Sequence, residues 1–104
     1  MRRVYDPKSP AEIVTLTFDF AGDLVAGETL TGTPVIAISV DDGADATPGN
    51  VLNGAAQLTA GEVLQSVTGG VNYAAYLITA LADTSAGRKL ELAYRLAIRP
   101  AYTH

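Results

Sequence analysis

The sequence contains no cysteine and no tryptophan, and its single histidine, His104, is the last residue. Without cysteine, neither a disulfide framework nor a thiolate metal site can form. A Ser-His-Asp or Cys-His catalytic set needs a histidine held inside the fold, and terminal residues are usually poorly ordered. The chain also lacks a glycine-rich phosphate loop followed by lysine. These absences argue against an enzyme, and no catalytic residue, metal or cofactor is expected.

Long hydrophobic runs are missing as well, although 48% of the residues are hydrophobic. Threonine, glycine, aspartate and proline interrupt every apolar stretch before it reaches the length of a membrane span. The basic start at Met1–Pro7 is not followed by an apolar segment, so a signal peptide is not expected. A chain of 104 residues is long enough for one domain with a modest core. We therefore expect a single folded domain without a membrane partner.

Basic residues are absent from the middle of the chain. Between Ser9 and Gly87 there is no lysine or arginine, but there are nine carboxylates. The net charge of −4 argues against nucleic acid as a partner. One interpretation is that the uneven charge has no function. The alternative is that the first and last strands lie side by side, so that the basic residues form one edge that orients docking partners. The seven basic residues are Arg2, Arg3, Lys8, Arg88, Lys89, Arg95 and Arg99.

The clearest pattern is a β-hairpin in the last third of the chain. From residue 88 to 98, apolar residues alternate with polar or small ones, which predicts a strand with one buried face. A second apolar run, Val71 to Ala82, precedes it, and a short polar loop ending in Gly87 joins the two. Both faces of the first run are apolar. Its outward face must therefore be covered by another part of the chain or by another subunit.

The remaining elements also favour an all-β fold. Turn residues separate further predicted strands at 13–20, 29–40, 51–53, 56–59 and 62–68. About seven short strands in one domain predict an antiparallel β-sandwich of immunoglobulin or fibronectin type III kind, with a small Greek-key barrel as the alternative. Two X-Pro bonds, at Pro7 and Pro10, predict an extended N-terminal arm over residues 1–12. The sandwich domain is then expected to span residues 13–104.

Two clusters of polar or aromatic residues have alternative interpretations. The acidic segment Asp41–Asp45 can supply oxygen ligands to calcium, but it lacks the ligand spacing of a calcium-binding loop and is interpreted as a solvated turn. The tyrosines at positions 5, 73, 76, 94 and 102 can form a sugar-binding platform, although scattered tyrosines are more often core or interface residues. Tyr76 is also a candidate corner tyrosine, with its hydroxyl bonded to nearby backbone.

Several segments carry a resemblance to a known family. They are Asp6-Pro7, Leu16-Thr17-Phe18-Asp19-Phe20, Leu24-Val25-Ala26-Gly27-Glu28-Thr29-Leu30, Ile78-Thr79 and Thr84-Ser85-Ala86-Gly87-Arg88. In these segments the chain resembles the fiber–tail adaptor proteins of tailed phages, which are small immunoglobulin-like virion proteins. The resemblance implies a structural protein in the tail or neck of a virion, made in the host cytoplasm, that attaches fibers or adjoining tail proteins.

An adaptor needs protein-binding surfaces, and the expected partners are other tail, neck or fiber proteins together with copies of the chain in a symmetric ring. The predicted interface residues are Arg2, Arg3, Tyr5, Lys8, Lys89, Arg95 and Arg99. Two alternatives stay open: a carbohydrate-binding sandwich module used in host adhesion, and a capsid decoration protein. The first predicts exposed tyrosines clustered on one face, and the second predicts docking on the head.

Overall fold

The computed structural model describes the backbone of residues 2–4 and the chain over residues 7–100. Met1, Tyr5, Asp6 and residues 101–104, His104 among them, lie outside the described residues. The side chains of Arg2, Arg3 and Val4 are likewise outside the description.

The described chain forms seven β-strands. They are β1 (Arg2–Val4), β2 (Val14–Asp19), β3 (Leu30–Asp42), β4 (Gln57–Leu58), β5 (Glu62–Val67), β6 (Ala75–Thr84) and β7 (Lys89–Ala97). Two 3₁₀ turns, Ala21–Asp23 and Pro48–Val51, complete the secondary structure. No helix in this part of the chain has the length and apolarity needed to cross a membrane.

The strands form two sheets, one of four strands in the order β1-β7-β6-β3 and one of three in the order β2-β5-β4. Strand pairing is antiparallel except between β1 and β7, which run parallel. The predicted all-β sandwich is therefore confirmed. The first and last strands lie side by side. β1 pairs with β7, and Arg2 lies opposite Ala93 and Val4 opposite Arg95.

The core lies between the two sheets and is built from alternate residues of each strand. Phe18 of β2 stacks on Tyr94 of β7 with ring centres 4.7 Å apart, which joins the two layers. The other buried side chains facing this interior include Leu16, Phe20, Val63, Val67, Tyr76, Ile78, Leu92, Leu96 and Ile98. Gln65 is buried among them, and its amide donates hydrogen bonds to the carbonyl oxygens of Gly54 and Ser66.

The predicted hairpin is present as β6 and β7, and its alternation is confirmed. Leu92, Tyr94 and Leu96 are buried, whereas Lys89 and Glu91 are exposed. The first strand of the hairpin, β6, begins at Ala75 and not at the predicted Val71. Residues 71–74 instead form a turn that is hydrogen-bonded to the end of β7. Tyr73 adopts a φ of 66° in this turn, which no strand residue can have. On the outward side of β6, Leu77 and Leu81 are half-buried.

The middle of the chain contains less strand than the sequence predicts. The predicted strand at 51–53 is wrong: Val51 ends the 3₁₀ turn that begins at Pro48, and Leu52 makes only a single bridge to Val67. Proline cannot donate a ladder hydrogen bond, and Gly54 follows with a φ of 81°, so the chain bends on both sides of this segment. The predicted strand at 56–59 is shortened to β4.

The N-terminal segment runs along its own domain. The amide of Lys8 donates to the carbonyl of Ala97 at 3.1 Å, and the amide of Arg99 donates to the carbonyl of Lys8 at 2.9 Å. These bonds continue, beyond β1, the parallel pairing with the end of the chain. The division into an arm of residues 1–12 and a domain from residue 13 onward stays a prediction.

Candidate assembly surfaces

The first and last strands share one side of the sheet, but β7 is not itself the edge strand. β7 lies inside the four-stranded sheet, between β1 and β6, and β1 pairs with its residues Ala93, Tyr94 and Arg95. Two of its outward-facing cations are also neutralised by neighbouring strands. Lys89 forms an ion pair with Asp83 of β6 at 2.6 Å, and Arg95 forms one with Asp41 of β3 at 2.7 Å.

These two ion pairs lie at opposite ends of the outer face of the sheet. Between them, β3 presents Val35, Ala37 and Ser39, and β6 presents Leu77, Thr79 and Leu81. Val35 is 60% exposed. A mostly uncharged sheet face bounded by charged pairs has the composition of a protein-binding surface, with an apolar centre and a polar rim.

Lys8 does not belong to any exposed basic surface, contrary to the sequence-based expectation. Its side chain is buried, and its ammonium group donates to the carbonyl oxygens of Ser9 and Gly69, each at 2.7 Å. Burial lowers the pKa of this lysine from its ordinary value. The residue therefore ties the N-terminal segment to the loop between β5 and β6.

Arg99 is the predicted interface residue whose surroundings most resemble a binding site. Its guanidinium donates to the carbonyl of Ile98 at 2.7 Å and lies 5.8 Å from the centre of the Tyr73 ring. Tyr73 is 59% exposed, and its positive φ fixes it at the tip of a turn. Arginine and tyrosine are both enriched among the residues that contribute most of the binding energy at protein interfaces.

The remaining predicted interface residues lie near the start of the chain. The backbone of Arg2 lies opposite Ala93, and that of Arg3 lies opposite Tyr94. Tyr5 is outside the described residues. The interface role stays a prediction for all seven residues: Arg2, Arg3, Tyr5, Lys8, Lys89, Arg95 and Arg99.

A polar cluster at the hairpin end of the sandwich was not predicted from the sequence. Glu28 lies two residues before β3, and its side chain is buried. Both of its carboxylate oxygens accept hydrogen bonds from Arg88, which lies at the end of the β6–β7 loop. Thr84 donates to the same carboxylate. The hydrogen bonds from Arg88, followed by those from Thr84 and the Val25 amide, lower the pKa of Glu28 to about 2.

This cluster joins two segments that are about 60 residues apart in the sequence. Beside the ion pair, the amide of Thr29 donates to the hydroxyl of Ser85 at 3.0 Å, and the amide of Ser85 donates to the carbonyl of Thr29 at 2.8 Å. Arg88 also donates to the carbonyl of Asp23 at 2.8 Å. The segments Gly27–Leu30 and Thr84–Arg88 carry the family resemblance, so their shared motif residues are the signal from which this contact could have been predicted.

The segments Gly27–Leu30 and Thr84–Arg88 both lie within a match to a family model. The model described as podophage GP4 fiber-tail adaptor protein gp77 matches residues 8–97. The chain belongs to this family. The match includes the middle of the chain, for which the sequence motifs gave no resemblance. A comparison with curated proteins found no match.

Membership makes the chain a structural adaptor of the phage tail, and the resemblance inferred from the sequence is confirmed. The adaptor's tyrosines do not form a platform within the described residues. Tyr76 and Tyr94 are buried, and Tyr73 is exposed. The clustered, exposed tyrosines that a sugar-binding module predicts are therefore not found at these three positions.

The buried hydroxyl of Tyr76 holds one end of the adaptor together. It accepts a hydrogen bond from the Val71 amide at 3.0 Å and donates to a carboxylate oxygen of Asp45 at 2.7 Å. The predicted bond from this tyrosine to nearby backbone is confirmed. The other oxygen of Asp45 accepts from the Thr47 amide, so this carboxylate closes a turn. Among the described residues, no group of three or more acidic or imidazole side chains is placed to hold a metal ion.

Proposed function

We propose that this adaptor attaches fibers, or the tail proteins that adjoin them, to the tail or neck of a podophage virion through protein–protein contacts. The observation that carries the proposal is the family match over residues 8–97. The protein would be made in the host cytoplasm and would assemble into a symmetric ring of copies around the tail. An adaptor of this kind needs at least two contact surfaces, one for each of the components that it joins.

The side of the sheet formed by β1 and β7 is proposed as the fiber- or tail-binding surface. Three features support it: Arg2 and Arg3 are placed there by the strand pairing, Arg95 lies on the outer face of β7, and Arg99 lies beside Tyr73. Tyr5 follows β1 in the chain. Lys89 lies at the far end of β7, where its ion pair with Asp83 places it at the margin of the surface.

The test uses a phage from which the gene for this chain has been deleted. The phage is grown either without the protein or with the protein supplied from a plasmid. Particles assembled without the protein are expected to have heads and tails but to lack fibers in electron micrographs, and to lose adsorption to host cells. Fibers that stay attached would contradict the proposal. Location of a tagged copy on the head would support the capsid decoration alternative.

The same deletion phage tests the proposed surface. Arg99→Glu reverses the charge beside Tyr73 without removing an ion pair to another described residue, and it is expected to reduce incorporation of the protein into particles. The double change Arg95→Glu and Arg99→Glu is expected to reduce it further, with an added loss of the ion pair to Asp41. Lys89→Glu applies the same change in charge at the margin of the surface, with loss of the ion pair to Asp83, and is expected to reduce incorporation less than Arg99→Glu does. Equal incorporation of all variants would exclude the surface.

A further inference from the structure

A groove of about 490 Å³ opens on the side of the sandwich where β1 and β7 lie. Residues 90–92 of β7 form one wall together with Arg88, and Asp19, Gly22 and Asp23 form the other. The two walls belong to different sheets, because β2 is an edge strand of the three-stranded sheet and β7 lies in the four-stranded one. The groove therefore lies at an open side of the sandwich, ahead of the three residues of β7 with which β1 pairs.

The hydrogen bonds of β7 show which of its backbone groups point toward this side. The amide of Thr84 donates to the carbonyl of Arg88 at 2.9 Å. Since antiparallel partners exchange hydrogen bonds at every second residue, the even-numbered residues of β7 bond to β6, and the odd-numbered ones turn their backbone groups to the other side. Ala97 follows this rule, because its carbonyl accepts a hydrogen bond from the amide of Lys8.

β1 covers only part of the outward side of β7. Its pairing begins at Ala93. Among the described residues, no backbone group therefore bonds to the outward amides of Lys89 and Glu91. An open length of strand beside a groove is a site at which an extended peptide can add as a further strand.

The charges around the groove indicate which peptide fits. Glu91 is exposed on β7, and Asp19 and Asp23 are exposed across the groove. Arg88 donates to both carboxylate oxygens of Glu28, so its charge is balanced within the fold. The described residues that line the groove include no other cation. The groove is therefore negative and attracts a segment with lysine or arginine side chains.

The next residues of the same strand already pair with a segment of this kind. β1 has the sequence Arg-Arg-Val and lies along residues 93–95 of β7. The outward side of β7 thus accepts a basic, extended segment within the chain itself. A second segment of the same character would lie directly ahead of β1.

We propose that this groove binds an extended, basic segment of a partner protein, which adds to β7 as a strand beside residues 89–92. The partner is one of the proteins that the adaptor joins, so the inference rests on the proposed function. Four residues of strand span about 13 Å, and a contact of this length is small and reversible. Because salt screens exposed charges, binding is expected to weaken as the ionic strength rises.

The first experiment measures binding of a fluorescein-labelled peptide, Lys-Val-Lys-Val-Lys-Val, to the purified full chain by fluorescence anisotropy. Its alternation gives a strand one basic and one apolar face, and the apolar face can contact the half-buried Leu90. This peptide is expected to bind at low salt and to dissociate as salt is added. The control peptide, Glu-Val-Glu-Val-Glu-Val, is expected not to bind, because the carboxylates of the groove repel it.

Charge reversal on the protein locates the bound peptide. Glu91→Lys is expected to raise the dissociation constant of the basic peptide by about tenfold or more. Asp42→Lys is the matched control, since Asp42 is also exposed but ends β3, on the opposite side of the sheet. It changes the net charge equally and is expected to weaken binding much less. Circular dichroism checks that both variants fold.

A second experiment tests strand addition through the exchange of backbone amide hydrogens, measured by nuclear magnetic resonance. Saturation with the basic peptide is expected to slow exchange at the amides of Lys89 and Glu91. The amide of Leu92 bonds to β6 and serves as the internal control, with a much smaller change. Bound peptide that leaves the exchange at Lys89 and Glu91 unchanged would be held by charge alone and would overturn strand addition.

The proposal is also overturned if the basic peptide does not bind, if both peptides bind equally, or if Glu91→Lys and Asp42→Lys weaken binding equally. Self-association that Glu91→Lys abolishes, without peptide binding, would show that the occupant is a second copy. These measurements use protein without phage, so they can fail while the fiber-attachment proposal stands. Fibers that stay attached to the deletion phage would overturn the proposed function, whereas peptide binding would still establish the groove as a site for basic strands.

Discussion

At the scale of single residues, the buried polar side chains explain how the loops at the two ends of the sandwich are held. Glu28 joins its turn to the β6–β7 loop through Arg88 and Thr84. Tyr76 joins the loop before β6 to Asp45. Among the described residues, no buried side-chain nitrogen or oxygen lacks a hydrogen-bond partner. The loop ends are therefore held by specific bonds and not only by the sheet ladder, which suits surfaces that must keep their shape.

The Glu28–Arg88 pair predicts how stability depends on pH. The pKa of Glu28 falls from its ordinary 4.5 to about 2 in the folded protein. A carboxyl with a depressed folded pKa contributes stability above its unfolded pKa and loses that contribution as the pH falls through the folded value. The melting temperature of the wild type is therefore expected to fall between about pH 5 and pH 2 by more than that of Glu28→Gln.

The control for this measurement is Glu91→Gln, which changes an exposed carboxylate on the outer face of β7. At pH 7, Glu28→Gln is expected to lower the melting temperature by about 5 °C or more, and Glu91→Gln to change it little. Thermal unfolding followed by circular dichroism over a pH series tests both expectations. Parallel pH profiles for the wild type and Glu28→Gln would show that the ion pair does not stabilise the fold.

At the scale of elements, the loop from Thr68 to Ala74 determines where β6 begins. Gly70 has a φ of 99°, and a Cβ at this position would lie 2.7 Å from Cγ1 of Ile98. Both the backbone angle and the close approach require glycine. Gly70→Ala is expected to destabilise the domain by about 1–3 kcal/mol in chemical unfolding.

Gly22→Ala is the matched control for Gly70→Ala. A Cβ on Gly22 would meet no heavy atom within 4 Å, and no positive φ constrains that residue. This variant is expected to be as stable as the wild type or slightly more stable, because alanine reduces the freedom of the unfolded chain. A Gly70→Ala variant as stable as Gly22→Ala would mean that the loop can move away from Ile98 without cost.

The sequence predicted those elements whose side chains alternate over many residues. β2, β5 and β7 were located within one or two residues, because one buried face imposes a period of two. The start of β6 was missed by four residues, since the apolar Val71 and Tyr73 continue the pattern into a turn whose shape depends on Gly70. The strand propensities of single residues contain no information about the close approach between Gly70 and Ile98.

The candidate surfaces were predicted less well, for a related reason. Period-two alternation shows that Lys89 and Arg95 point outward, but not that Asp83 and Asp41 lie beside them on neighbouring strands. Lys8 looked like a surface cation because nothing in the sequence shows that two carbonyl groups surround its amine.

At the scale of the whole molecule, the order β1-β7-β6-β3 places the two candidate assembly surfaces at opposite ends of one sheet. The β1 and β7 side carries Arg2, Arg3 and Arg99, and the β3 side carries the uncharged residues 35–40. The two ends of this sheet therefore differ in charge, and an adaptor that joins two components needs two different surfaces. This separation predicts that each surface can be changed without affecting the other.

The N-terminal segment makes stabilising contacts and is also proposed to act in assembly, and two truncations separate these roles. Removal of residues 1–6 eliminates β1 but retains Lys8 and its bonds to Ser9 and Gly69. This variant is expected to fold and to show the circular dichroism of the wild type. It is also expected to be incorporated poorly into particles of the deletion phage, because Arg2, Arg3 and Tyr5 are lost.

Removal of residues 1–10 also eliminates Lys8 and the backbone bonds between Lys8, Ala97 and Arg99. This longer truncation is expected to lower the melting temperature clearly, so a loss of incorporation would follow from poor folding. The shorter truncation is therefore the decisive variant. Normal incorporation without residues 1–6 would show that β1 serves only to cover the edge of β7, and the tail- or fiber-binding surface would then have to lie elsewhere on the sheet.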